Sequence, residues 1–261
     1  MHQKRLYSAG AARFNKKPRV GIQFLEELDL LPPPPNLDDP AELEAAAKAL
    51  AQFLRTSQGP EKSAIGSYLG EAGKKRTAVT VDSVTGHDRE GKPLAETFHW
   101  SDTTDCHVAV LKAFVRSFNF EGQPILVALR MFLAAFRLPV EAQQIDRIVH
   151  AFAHEVFSCC LEGRQGLFAT VDVAYLLSFS IIMLNTDLHN PNIRQDRRMT
   201  LAAFIRNNEN YGVEISNGKD LAHDLLESVF VSIKEQPIRT LSDGPEGEIT
   251  SHRWKDLLRQ H

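Results

Sequence analysis

From His107 onward the apolar residues recur at intervals of three and four. Val108, Leu111, Phe114 and Val115 mark one face, followed by Ile125, Leu129, Phe132, Leu133 and Phe136, then Ile145, Ile148, Val149, Phe152 and Val156. Only the α-helix repeats with that period. Thr170 to Asn185 is apolar on nearly all sides and reads as a central helix. A further helix starts at Met199-Thr200, and Leu221, Leu225, Leu226, Val229, Phe230 and Ile233 mark another. Gly122-Gln123-Pro124 and Pro139 separate these runs, because proline lacks an amide donor and fixes φ. Upstream, Ile22, Phe24 and Leu25 begin a short amphipathic piece that Pro32 to Pro35 break. Asp38, Asp39 and Pro40 then start a helix through the alanine-, leucine- and glutamate-rich stretch to Arg55, and Ala64 to Leu69 seed another. The expectation is an all-α protein: a single domain of about eight to ten antiparallel helices in a right-handed stack.

Gly73 to Asp105 breaks the pattern. Thr77 to Val81 alternates like a strand, and Gly86, Gly91 and Pro93 punctuate the remainder of the stretch. It reads as an inserted loop, with at most a weak hairpin.

A chain of 261 residues is long enough to bury a core without a disulfide or metal staple. Its 30 basic and 33 acidic side chains leave a net charge of -3, which excludes a whole-chain electrostatic nucleic-acid binder. Cys106, Cys159 and Cys160 form neither a disulfide framework nor a zinc-ligand spacing, and suit a reducing compartment. The first twenty residues lack the apolar run of a secretory leader. They carry Lys4, Arg5, Arg13, Lys16, Lys17 and Arg19 with no acidic residue, either a solvated arm or a contact for an anionic membrane.

Two polar clusters interrupt the apolar pattern. In the first, Phe136 to Arg147, Glu141 follows Pro139-Val140 on a turn between two helices. Such a carboxylate is either an ordinary first-turn glutamate, favoured by the positive helix end, or a presented acid. In the second, Asn185-Thr186-Asp187-Leu188-His189-Asn190-Pro191 closes the apolar helix. Asp187 and His189 are metal ligands by type, but no third ligand lies nearby, and Asn185, Asp187 and Asn190 also suit helix-end hydrogen bonding. The chain holds no Gly-x-Ser-x-Gly elbow and no complete phosphate loop of the Gly-x-x-x-x-Gly-Lys-Ser/Thr type, since Pro93 follows the Gly86 to Lys92 spacing. The profile favours an interaction module.

These two clusters, in this order, resemble the signature motifs of the Sec-seven-type domain, the catalytic domain of guanine-nucleotide exchange factors for Arf GTPases. Phe14-Asn15-Lys16-Lys17-Pro18 with Gly21-Ile22 and Phe24-Leu25 resembles its entry motif, and Ile65 to Glu71 and Ala128-Leu129-Arg130 resemble internal segments. Met199-Thr200, Phe204 and Asn217 to Leu221 are similar to its closing part. The resemblance divides the chain into a basic lead-in (1–12), the domain (13–238, with 73–105 inserted) and a C-terminal linker with a short helix (239–261). Trp254 and Leu257-Leu258 resemble the segment after this domain in the large Gea-type, Golgi-specific brefeldin A-resistance factors, which makes the chain one domain of a larger cytoplasmic protein peripheral to Golgi membranes.

The resemblance implies a superhelix with a hydrophobic groove that receives the GTPase. Glu141 takes the place of the family's glutamate finger, which expels GDP from an Arf GTPase without covalent chemistry. Tyr175, Phe179, Ile182, Met183 and Asn190 take groove positions, and Arg137, Gln143 and Asp146 support the finger loop. Phe179, Ser180, Asp187 and Met199 stand where the brefeldin A response is set. Three of the four fit the sensitive pattern and Phe179 departs from its tyrosine, which implies intermediate sensitivity. No cofactor or metal of its own and no nucleic-acid partner are implied; the substrate is the GTPase with its Mg-GDP. Val140 departs from the family's glycine, and a β-branched residue resists the positive φ that glycine permits. Two other readings stay open: a helical adaptor that binds a GTPase without exchange, and a metal-dependent hydrolase using Asp187 and His189.

Overall fold

The computed structural model describes residues 2–75 and 99–238. They form twelve α-helices and no strand, the all-helical architecture the periodicity predicts. The count exceeds the expected eight to ten because two helices span only four residues, too short to show a period. The chain divides into two compact units, Met1–Ser117 and Phe118–His261.

The first unit holds α1 (His2–Lys16), α2 (Pro18–Glu27), α3 (Pro40–Thr56), α4 (Lys62–Gly70) and α5 (Thr104–Arg116). The basic opening stretch is therefore helical and belongs to a packed unit, with Gly10, Ala11 and Phe14 buried. Helices α1 and α2 cross closely: a Cβ on Gly21 would lie 2.4 Å from the Phe14 amide nitrogen. Asp39 caps α3 through bonds from the amides of Ala41 and Glu42. Phe14, Leu25, Leu50, Phe53, Tyr68 and Phe114 fill the core.

The inserted stretch is not loop throughout. Trp100, Ser101 and Thr103 are buried, and Thr103 caps α5 ahead of the onset of periodicity at His107. Glu26 accepts hydrogen bonds from Trp100 Nε1 at 2.6 Å and His99 Nε2 at 3.1 Å. The Lys74 amide donates to the Asp102 carbonyl at 2.7 Å, and the Thr104 amide to the Lys74 carbonyl at 3.1 Å. The two ends of the insertion are thus hydrogen-bonded neighbours. The expected strand at Thr77 to Val81 lies outside the described residues, as do the C-terminal helix and Trp254, Leu257 and Leu258.

The second unit holds α6 (Ile125–Leu133), α7 (Ala142–Cys159), α8 (Leu161–Arg164), α9 (Val171–His189), α10 (Leu201–Asn208), α11 (Val213–Ser216) and α12 (His223–Glu235). Phe120, Phe132, Phe136 and Phe152 form an aromatic cluster, with Phe132 and Phe136 centroids 4.9 Å apart. Helix α9 has a mean hydropathy of 1.4, long and apolar enough to cross a membrane by composition. Here eleven of its nineteen residues are buried, so its apolar surface serves the core of this unit.

Candidate functional site

Glu141 is the N-cap residue of α7. Its backbone is extended (φ -79°, ψ 128°) and its carbonyl accepts the amides of Gln144 and Ile145, both at 3.1 Å. Its side chain caps nothing and has no hydrogen bond or ion pair among the described residues. The carboxylate is therefore exposed and unengaged. The turn that carries it is held from both sides, since Phe136, Leu138 and Pro139 before it and Ile145 after it are buried. A rigid turn holding a free acid is suited to entering a partner's cationic site, because little conformational freedom remains to be lost.

Val140 resolves the glycine departure. Among the described residues only Asp29, Asn210 and Asn217 combine a side chain with positive φ, so the turn before Glu141 uses an ordinary backbone that valine tolerates. Val140 is 47% exposed.

The three residues expected to support this turn divide. Arg137 and Gln143 are exposed, and their side chains hold no bond to any described residue, so neither props the loop. The buried apolar flanks hold it instead. Asp146 does make a bond: the Tyr175 hydroxyl donates to its Oδ1 at 2.5 Å, joining α9 to α7 near the Glu141 turn. Burial first, and then this bond, push the Tyr175 hydroxyl well above its ordinary pKa. Tyr175 also packs edge-on against His150 at 5.7 Å and Phe179 at 4.9 Å.

The expected groove residues differ in exposure. Ile182 is 0% exposed, Phe179 2% and Tyr175 8%, so these three are core side chains. The stripe of this helix that is not buried runs through Asp172, Leu176, Ser180, Met183 and Asp187. Only Met183 and Asn190 of that set keep appreciable surface. Asn190 ends α9, and its Oδ1 accepts the Asn192 amide at 2.8 Å, which shapes the following loop. A cleft of about 810 Å³ opens in the first unit between α3 and α5, over Leu37, Leu43, Val108 and Ala113, and contains none of the predicted residues.

The second polar cluster fastens α9 to its surroundings. The Met199 amide donates to Asp187 Oδ2, which links directly two of the positions expected to set the brefeldin A response. Ser180, the fourth of them, is half-buried beside Phe179 in the chain. Asn185, buried within α9, accepts the Ile238 amide at 2.6 Å and donates to its carbonyl at 3.4 Å. His189 Nε2 donates to the Ile233 carbonyl at 2.7 Å. Asp187 and His189 thus face separate backbone partners, and no group of three or more potential ligands is gathered among the described residues.

Sequence reasoning missed two anchors. Arg130 donates to the carbonyls of Ser232 at 3.1 Å, Gln236 at 2.5 Å and Pro237 at 3.2 Å, closing the C-terminal end of α12. Buried Glu162 accepts the Ile125 amide at 2.8 Å, capping α6 from a distant turn. No local signal reports either, because each bond spans dozens of residues.

A sequence profile of the Sec7 domain matches residues 3–238. The chain belongs to the Sec7 domain family. It is 36% identical over 234 residues to cytohesin-3 of Rattus norvegicus, covering 90% of this chain and 45% of that protein. It is 32% identical over 258 residues to the ARF guanine-nucleotide exchange factor GNL2 of Arabidopsis thaliana, covering 99% of this chain and 15% of that protein. The chain thus spans less than half the length of these relatives. Among solved structures, the Sec7p catalytic domain superposes with a TM-score of 0.62 at 34% identity, covering 88% of this chain and 96% of that one. A structure described as ARF1-GDP bound to a Sec7 domain complexed with brefeldin A gives a TM-score of 0.63 at 28% identity, covering 91% and 94%. This Sec7 domain carries its exposed glutamate, Glu141, on the turn into α7.

Proposed function

We propose that this domain is a guanine-nucleotide exchange factor that releases GDP from an Arf-family GTPase, with Glu141 as the inserted acid. The observation that carries the reading is the free, exposed Glu141 carboxylate on a turn with buried flanks, in a Sec7 domain. The relatedness to an ARF exchange factor and the likeness to a Sec7 domain seen with ARF1-GDP support the substrate class.

The chemistry is electrostatic. GDP is held on its GTPase by Mg²⁺ and by cationic and amide donors around the β-phosphate. A second anion brought to that site competes for the same donors and repels the phosphate. Two unit charges about 4 Å apart at an effective dielectric near 20 interact by about 4 kcal/mol. That magnitude is almost three orders in an equilibrium constant. No bond is made or broken; the domain accelerates release because it prefers the GTPase without nucleotide. It brings no cofactor, since the metal belongs to the substrate.

Met183 and Asn190 supply contact surface beside the finger in this reading, while Tyr175, Phe179 and Ile182 set the shape beneath it. Buried Phe179 in the tyrosine position goes with intermediate brefeldin A inhibition. The tail residues Trp254, Leu257 and Leu258 favour a Gea-type parent acting in Golgi vesicle traffic, cytoplasmic and peripheral to the membrane.

Release of a fluorescent GDP analogue from an Arf GTPase lacking its membrane helix tests the reading. The wild-type domain should accelerate release strongly, and Glu141→Lys should abolish the acceleration while retaining the fold. Binding to the GTPase with no acceleration by either protein would identify an adaptor instead.

A further inference from the structure

The outward face of α1 is a strip of cations set on small residues. Two neighbouring rows run along it at a spacing of four, Lys4, Ser8, Ala12 and Lys16, and Arg5, Ala9 and Arg13, with Lys17 directly after the helix end. All of these except half-buried Ala9 are exposed, and the buried residues Gly10, Ala11 and Phe14 occupy the remaining face. No carboxylate occurs between residues 2 and 25. Arg19 is spoken for, with NH1 3.5 Å from Asp102 Oδ2. The Arg13 guanidinium carbon lies over the Phe24 ring, 3.9 Å from its centroid, and Nη1 donates to the Ala9 carbonyl at 3.1 Å. The side chains of Lys4, Arg5, Lys16 and Lys17 have neither a hydrogen bond nor an ion pair with any described residue.

Four cations without an acidic partner among the described residues, three on one short helix and the fourth directly after it, repel one another and invite an anionic surface. Lys4-Arg5 and Lys16-Lys17 are separated by about 18 Å at 1.5 Å per residue. Between them on the exposed side stand Ser8, Ala9, Ala12 and Arg13, whose guanidinium is held over Phe24, so among these residues no long free side chain interrupts the strip. A partner that meets both ends at once must be flat, continuous and negatively charged. Val20, 42% exposed, adds an apolar contact at the corner where Lys17 leads into α2. Nucleic acid fits less well: Tyr7, the strip's neighbouring aromatic, is stacked on Phe53 at 6.2 Å and its hydroxyl is bonded to the Leu30 carbonyl at 3.2 Å.

We propose that α1, with Lys17 directly after it, docks this domain directly onto an anionic phospholipid membrane, using Lys4, Arg5, Lys16 and Lys17. The proposal goes beyond the exchange reading and does not depend on it.

Vesicle flotation with the 261-residue chain tests it. Neutral phosphatidylcholine vesicles are compared with vesicles containing about 30% phosphatidylserine, in low and high salt. Wild-type protein should float with the anionic vesicles alone, and salt should release it. Each cation removed should weaken partitioning about fivefold, which corresponds to about 1 kcal/mol, so Lys4→Gln/Arg5→Gln/Lys16→Gln/Lys17→Gln should lose several hundredfold. Glutamine is a good helix former, and unchanged far-UV circular dichroism confirms the fold. The single substitutions should fall in steps between the two. GDP release from a soluble GTPase lacking its membrane helix should be the same for wild type and variant, so a failed exchange assay leaves the flotation result standing. Equal flotation of wild type and variant, or no preference for anionic lipid, overturns the proposal. So does retention on heparin or RNA without flotation.

Discussion

The Tyr175 hydroxyl donates to the Asp146 carboxylate at 2.5 Å, and Asp146 stands five residues beyond Glu141 on the same stretch of chain. One bond therefore joins the central helix α9 to the first turns of the helix whose N-cap presents the free acid. An ionised acceptor makes such a bond stronger than a neutral pair. Tyr175→Phe should cost about 2 kcal/mol in urea unfolding. In the exchange reading it should also lower the rate of GDP release several-fold, because the finger turn loses part of its frame. A double-mutant cycle with Asp146→Asn separates the bond from the ring packing: coupling near zero would mean that the bond is incidental.

Val140 occupies a backbone that valine adopts without strain. Substituting glycine there gives the turn a freedom the native conformation does not use. Val140→Gly should therefore cost about 0.5–1 kcal/mol of stability and bring no gain in exchange. Parallel denaturant titrations and GDP-release assays check this. A gain in rate would show that the turn needs a conformation different from the one described.

Arg130 bonds three carbonyls at the end of α12 from a position on α6. Partial burial lowers its pKa from the usual arginine value, but a guanidinium remains charged. Arg130→Ala should cost about 2–3 kcal/mol, since removing a charged donor leaves carbonyls without their partner. Arg130→Lys should recover part of that, because a single ammonium cannot reproduce the fork. Chemical denaturation of the three proteins decides it.

Burial pushes the thiol of Cys106 from its ordinary 9 up to about 12, against the opposing Tyr68 hydrogen bond, and burial raises Cys160 likewise. The native state then keeps a proton that the unfolded chain has lost. The stabilisation is fully present below pH 9 and is lost as pH rises from 9 towards 12. The slope is about 1.4 kcal/mol per pH unit for the Cys106 proton. Unfolding free energies measured at stepped alkaline pH should decline steeply, and Cys106→Ala should make the decline shallower by that slope. An unchanged slope in the variant would show that the thiol is not the group responsible.

The long helices were legible in the chain because a helix that buries one face must repeat its apolar residues every three to four positions. That holds for α5, α6, α7 and α12, and for α9, whose unbroken apolarity announced a buried centre. The four-residue α8 and α11 were not legible, since one turn has no period. Residues 99–105 read as loop, because Trp100 and Thr103 owe their burial to partners far along the chain, Glu26 and Lys74.

At the site, the residues alone left Glu141 open between an ordinary first-turn glutamate and a presented acid, the family resemblance singled it out, and the proline before it placed it at the start of a helix. Sequence alone determined which residues carry charge, where the helices run and which turn holds an acid between apolar flanks. Tertiary structure alone decided that Glu141 has no partner among the described residues, that Arg137 and Gln143 do not brace it, and that Phe179 and Ile182 lie inside the core. It also supplied the long-range clamps at Arg130 and Glu162. The division has a physical cause. Periodicity and charge are properties of neighbouring residues, whereas burial and hydrogen-bond partnership depend on which distant segments arrive beside them when the chain packs.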